Sequence, residues 1–235
     1  MSYFSAMVAA VPKDAKEAYI DHEAASWPLF AKAGALRQVA IWGEDVMHGQ
    51  QTDFWRAVDA SDDEIVACSW IEWPDRATAD AAWGSLSPEA MPPMPFDGKR
   101  LIFGGFTPLY RAGTDRGGYY QAFITPVPTA NRDAYAKLAD HVYETMFAPN
   151  GCLGTVEAWA EDVPRGSATD FWRAVDAREG EEVVFAWTAW PDRATCDAAA
   201  EAMGAASSDE PHPEMPFDGM RMVWGGFVPV FDETA

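Results

Sequence analysis

Asp53 and Arg56 stand three residues apart, and the same pair returns as Asp170 and Arg173. A carboxylate and a guanidinium at this spacing can pair and orient an anionic substrate. Asp97 and Arg100 return in the same way as Asp218 and Arg221. Each has a plainer reading. Thr52-Asp53 caps a short turn, Asp97-Gly98 is a turn dipeptide, and Arg100 pairs with a carboxylate on an acidic surface. Glu72 is not repeated, because Ala189 takes its place. Strand alternation puts Glu72 on the face that carries Trp70. A carboxylate in an apolar cleft would have a raised pKa and could act as a general base. At a strand end it would simply meet solvent. The candidate catalytic residues are therefore Glu72, Asp53, Arg56, Asp170 and Arg173. The candidate ligand-binding residues are Trp42, Trp70, Arg100, Trp159, Trp187 and Arg221. The tryptophans either line a cleft for a flat apolar ligand or form the core between two sheets.

The remaining chemically capable residues carry less. The four histidines, His22, His48, His141 and His212, are unrepeated: Leu138, Arg165 and Ala25 stand opposite the first three. A duplicated active site should duplicate its base, so packing or solvated roles are expected, with His22 and His48 retained if one copy alone is active. The three cysteines, Cys68, Cys152 and Cys196, align with Phe185, Ala35 and Ala79 and read as buried thiols. Neither set has metal-ligand spacing, so no metal and no cofactor are expected. Scattered cysteines suit a reducing, cytoplasmic setting.

These residues recur because the chain is one module written twice. The string from Thr52 to Ala60 returns unchanged from Thr169 to Ala177, and Met94-Pro95-Phe96-Asp97-Gly98 returns from Met215 to Gly219. The expected boundaries are 1–111 for the first module, 112–118 for a Gly-rich linker, and 119–235 for the second. Each copy reads as strand, helix, strand, strand, helix, strand. Strands are expected at residues 3–10, 36–42, Glu64–Trp73 and 100–110. A first helix over residues 13–33 would present Ala15, Ala18, His22, Ala25, Leu29 and Ala33, with Pro28 kinking or interrupting it. A second helix follows over 75–86. Gly34 and Gly151 sit at helix C-termini. The opening segment lacks the basic start of a leader and recurs at residues 119–128, so it reads as a structural element. This is an α+β chain of two ferredoxin-like βαββαβ modules. Each sheet has one naked face, which the other sheet should cover, giving an intramolecular pseudo-dimer that could itself pair as a homodimer.

The run Gly34-Ala35-Leu36, Trp42-Gly43-Glu44-Asp45-Val46, Thr52-Asp53-Phe54, Ser69-Trp70-Ile71-Glu72-Trp73-Pro74 and Met94-Pro95-Phe96-Asp97-Gly98-Lys99-Arg100 resembles the YbaA-like family of uncharacterised bacterial proteins. Each half matches nearly end to end, although that family is usually a single domain. The resemblance implies a dimeric α/β barrel, a fold shared with cofactor-free monooxygenases, isomerising enzymes and stress proteins. It implies no reaction and no catalytic residue.

Composition narrows the partners. There are 17 Lys and Arg against 37 Asp and Glu, a net charge of −20. Nucleic acid and anionic membranes would be repelled. The expectation is a small apolar or aromatic ligand held in a cleft between the two sheets, with cofactor-free oxygenation or isomerisation as its chemistry. Ser69, Glu72 and Trp83 become Ala186, Ala189 and Ala200, so the first copy is expected to hold the pocket. The alternative is a non-catalytic interaction or stress protein with a filled inter-sheet core.

Overall fold

The computed structural model describes residues 2–206 and 215–235. The inserted loop that carries His212 lies outside the described residues. The first half comprises β1 (Tyr3–Pro12), α1 (Lys16–Lys32), β2 (Arg37–Asp45), the one-turn α2 (Phe54–Ala57), β3 (Glu64–Trp73), α3 (Arg76–Ser85) and β4 (Ile102–Gly113). The second comprises β5 (Tyr119–Pro128), α4 (Arg132–Val142), β6 (Gly154–Asp162), α5 (Phe171–Ala174), β7 (Glu181–Trp190), α6 (Arg193–Ala206) and β8 (Val223–Thr234).

Each half has the expected ferredoxin-like order, β4-β1-β3-β2 and β8-β5-β7-β6, and the two sheets join into one closed barrel of eight antiparallel strands. The joints depend on long last strands. Ile102–Phe106 of β4 pairs with β1, while Gly105–Gly113 crosses over to pair with β6. In β8, Val223–Phe227 pairs with β5 and Gly226–Thr234 with β2. The sheets thus face each other and also share backbone hydrogen bonds along both edges, which removes every free edge. The register slips beside Pro108 and Pro229, as expected where a residue has no N–H for the ladder.

Alternate residues of each strand point into the barrel. Trp70 and Trp187 stack at its centre, ring centroids 4.4 Å apart. Phe4 meets the Trp187 edge at 5.0 Å. Phe54 of α2 and Phe171 of α5 are fully buried in the same cluster. The opposite face of the first sheet packs Ile71, Trp73 and Tyr3 beneath α1 and α3. The strands are therefore buried on both sides, which lets a chain this acidic remain 49% hydrophobic.

Helix α1 runs through Pro28 without a break. The carbonyl this proline leaves unbonded belongs to Ala24 on the exposed face, where water can satisfy it. Gly34 has φ +101 and Gly151 φ +93. Gly34 closes α1, and Gly151 closes the π turn Tyr143–Phe147 and 3-10 turn Ala148–Asn150 that prolong α4. Each does so as a Schellman turn, with Ala35 N–H to the Phe30 carbonyl and Cys152 N–H to the Phe147 carbonyl, both 3.0 Å. The buried face of α1 differs from the expected stripe. It is Tyr19, Glu23, Ser26 and Phe30, while Ala18 and Ala25 are exposed. The alanines trace an apolar stripe, but the polar Glu23 and Ser26 lie on the face that packs.

An ion network binds the halves at one end. Arg37 is 3% exposed. Its guanidinium donates to Asp232 at 2.7 and 2.8 Å and lies 3.0 Å from Asp115 Oδ1. Asp115, in the segment expected as linker, also holds Arg111 and accepts the Tyr120 hydroxyl through its carbonyl. Removing one partner of a buried pair strands the others. Arg37→Met should lower the urea unfolding free energy by about 3 kcal/mol. The exposed Arg56→Ala should cost less than about 1 kcal/mol. Equal small losses would mean the network adds little.

Candidate functional site

The residues singled out by sequence occupy separate places. Asp53 caps α2: its carboxylate accepts the Arg56 N–H at 2.7 Å and the Gly49 N–H at 3.1 Å. Asp170 repeats this with Arg173 and Gly166. The guanidinium groups of Arg56 and Arg173 fold back onto loop carbonyls of Gln51 and Gly166. Arg100 is bidentate to Glu64 at 2.6 and 2.8 Å and donates to the Asp59 carbonyl. Arg221 does the same with Glu181 and Asp176. Asp59 and Asp176 have left-handed backbones, φ +50 and +47, and the arginines hold these turns by their carbonyls. Arg100 draws the Glu64 carboxyl down to about 2. Trp42 and Trp159 lie on the outer sheet faces, with Lys16 and Arg132 each 5.5 Å above the rings. Trp70 and Trp187 fill the barrel. Glu72 sits with its carboxylate 2.7 Å from Arg111.

The inter-sheet space, where the expectation put a cleft, is thus occupied by stacked indoles and phenyl rings. A cavity of about 610 Å³ lies instead on the other side of the first sheet, between its outer face and the helices α1 and α3. Met7, Ala9, Ala67 and Ser69 form its floor, Tyr19, His22, Glu23, Ser26 and Phe30 its helical wall, and Trp83 one side. The Met91-Pro92-Pro93-Met94 segment, with Phe96, covers it. His22 Nδ1 lies 3.1 Å from the Pro93 carbonyl and fastens this cover to α1. Trp83 is fixed by its indole N–H, which donates to Ser5 Oγ at 3.0 Å.

A polar chain crosses this apolar chamber. The Tyr19 hydroxyl lies beside Glu23 and Ser69, and Gln38 Nε2 donates to Glu23 Oε2. Gln38 is 1% exposed, and its Oε1 has no partner. Burial raises the Glu23 carboxyl from its ordinary 4.5 to about 7, against the opposing pull of Gln38 and Tyr19. Burial also raises the Tyr19 hydroxyl well above its usual range and lowers His22. Near neutrality the buried Glu23 can therefore give or take a proton at the apolar wall of this cavity.

Sequence reasoning weighed Ser69, Trp83 and His22 but missed Glu23, Tyr19 and Gln38. The available signal was the 4, 3, 4 spacing of Tyr19, Glu23, Ser26 and Phe30, hidden by the alanine stripe. A second signal lies in the repeat. Glu23 aligns with Ala139, and Ala40 aligns with Glu157. The second copy thus brings a carboxyl to the matching tyrosine from the strand wall: Tyr135 donates to Glu157 at 2.7 Å, and burial raises Glu157 to about 7.

The raised Glu23 value carries a stability signature. Between about pH 4.5 and 7 the folded chain holds this proton more tightly than the unfolded chain does. Its contribution is favourable below the unfolded value and is lost as pH rises through the folded one. Glu23→Gln should therefore match the wild type near pH 4.5. At pH 8 it should be more stable by about 1–3 kcal/mol, read by urea unfolding. A pH-independent difference would count against a buried, proton-binding Glu23.

Known proteins place this geometry in context. A segment of 116 residues, 49% of the chain, is 43% identical to the uncharacterized protein YbaA of Escherichia coli (strain K12), of which it covers 98%. The fold aligns over 100% of this chain and 93% of an anthrone oxidase-like protein, with a TM-score of 0.57 and 11% identity. It aligns over 99% of this chain and 96% of a Lactobacillus acidophilus protein provisionally named a monooxygenase, with a TM-score of 0.53 and 10% identity. At these identities the structural likeness concerns the fold, a dimeric α/β barrel. The family described as "Protein of unknown function (DUF1428)" matches residues 2–98 and 118–219, and this chain belongs to that family.

Proposed function

We propose that the protein binds a small, flat, mainly apolar molecule carrying an acidic O–H or C–H in the chamber beneath α1 and α3, and that Glu23 exchanges a proton with it. The observation that carries this reading is a buried carboxyl, raised to about 7, set in an apolar cavity of about 610 Å³. Apolar walls with a few converging polar groups are the usual form of a small-molecule site. Gln38 holds Glu23 in place beside Tyr19, while the free Gln38 carbonyl oxygen and His22 offer further polar contacts to a guest.

Removal of a C–H proton by Glu23 leaves an enolate, and its return to a different carbon is an isomerisation. The same enolate could instead react with dissolved dioxygen. That version is compatible with the names of the anthrone oxidase-like and monooxygenase-named neighbours, which share only the fold. The candidate arginines take no part in this reading, because carboxylates and backbone carbonyls already occupy them. No helix among the described residues is long and apolar enough to cross a membrane. Three free buried cysteines are compatible with a reducing compartment.

Titration with 2-naphthol, a flat apolar weak acid, tests the site through tryptophan fluorescence. Ser69→Phe, which projects a ring into the cavity floor, should weaken binding at least tenfold while circular dichroism stays unchanged. Wild-type affinity should rise with pH around 7, because a hydroxyl bonds more strongly to a carboxylate than to a carboxylic acid. Glu23→Gln should flatten that profile. Unchanged affinity in Ser69→Phe would place the ligand elsewhere.

A further inference from the structure

The barrel has two pseudo-symmetric seams, each where a loop of one half meets the entry to the last strand of the other. At one seam Thr169 Oγ1 donates to the Arg100 carbonyl at 3.1 Å. At the other, its counterpart Thr52 is only 7% exposed, yet its Oγ1 has no hydrogen-bond partner. A cavity of about 260 Å³ opens there, lined by Met47, His48, Thr52, Met220, Met222 and Trp224 among others.

The two seams differ in one chemical direction. Pro164, Arg165, Lys99, Leu101 and Phe103 stand at the closed seam where Met47, His48, Met220, Met222 and Trp224 stand at the open one. Two cationic groups have gone, and three thioethers, an imidazole and an indole have replaced what was there. Met47 is 62% exposed, Met220 61% and Trp224 44%, so core packing does not account for them. Among the described residues no group of three or more His, Cys, Asp and Glu side chains could hold a metal ion. Thioethers are a different donor class. They are soft, neutral and poor ligands for magnesium, calcium or zinc, and they select Cu(I). His48 Nδ1 lies 3.6 Å from Asp53 Oδ2. The His48 imidazole adds a nitrogen donor of a kind that suits copper. An indole face beside the site attracts a cation further.

We propose that this seam is a binding site for one soft monovalent metal ion, Cu(I), held by thioethers of Met47, Met220 and Met222 together with His48. Both halves contribute ligands, so the ion would also clasp the seam that Thr52 leaves open.

The test uses the full chain and Ag(I), an air-stable ion of the same charge and softness, followed by Cu(I) without air against a bicinchoninate competitor. Native mass spectrometry should show one more Ag(I) per chain in the wild type than in the triple variant Met47→Leu, Met220→Leu, Met222→Leu. The cysteines are identical in both proteins, so the difference reports the thioethers. The competitor should read at least a hundredfold loss of Cu(I) affinity in that variant and about tenfold in His48→Asn. Met146→Leu with Met203→Leu, methionines that line neither cavity, should leave Cu(I) binding unchanged. Trp224→Phe should retain the ion and lose the fluorescence quenching that accompanies it. Equal stoichiometry and affinity in the triple variant would overturn the proposal, as would Zn(II) binding as tightly as Cu(I).

Discussion

Closure of the barrel is the constraint on which the rest depends. A four-stranded ferredoxin-like sheet has helices on one face, a bare apolar face on the other and two open edges. Packing sheet on sheet would cover the faces and leave the edges. Here β4 and β8 are long enough to finish one sheet and continue into the other. One device satisfies the apolar face and the unpaired backbone together. Trp70 and Trp187 stack where the two faces meet, and α2 and α5 add Phe54 and Phe171 to the same interior. The barrel interior is therefore core, which is why the indoles that suggested a ligand cleft form none.

A core fixed in this way shifts variation to the helical layers. The repeated Asp–Arg pairs are spent on caps and left-handed turns that shape both copies alike. Beneath α1 the copies diverge. The first has Glu23, Gln38 and Ser69 around Tyr19, while the second has Glu157 and Thr155 around Tyr135. A carboxyl from the helix in one copy and from the strand in the other arrives beside the same tyrosine.

Duplication within one chain also frees the seams from symmetry. In a true homodimer the two seams must be identical. Here one closes through Thr169 and the other stays open at Thr52. Such a difference can evolve only when both halves are encoded separately, and it allows one seam to change its chemistry without altering the other.

By itself the sequence determined the duplication, the βαββαβ order, the helix caps at Gly34 and Gly151, and the need for two sheets to cover each other. These follow from local pattern: identical strings, period-two burial and turn chemistry are written in neighbouring residues. It also offered the plainer reading of Asp53, which the cap on α2 matches. Tertiary structure decided the side of the sheet on which space remains. Glu23, Gln38 and Ser69 lie on three elements and meet only after the barrel closes. The buried face of α1 could not be read from hydrophobicity, because its central residues are polar. Whether an apolar residue lines a cavity or fills a core depends on what packs against it from elsewhere in the chain, and that is set by strand pairing across the two halves.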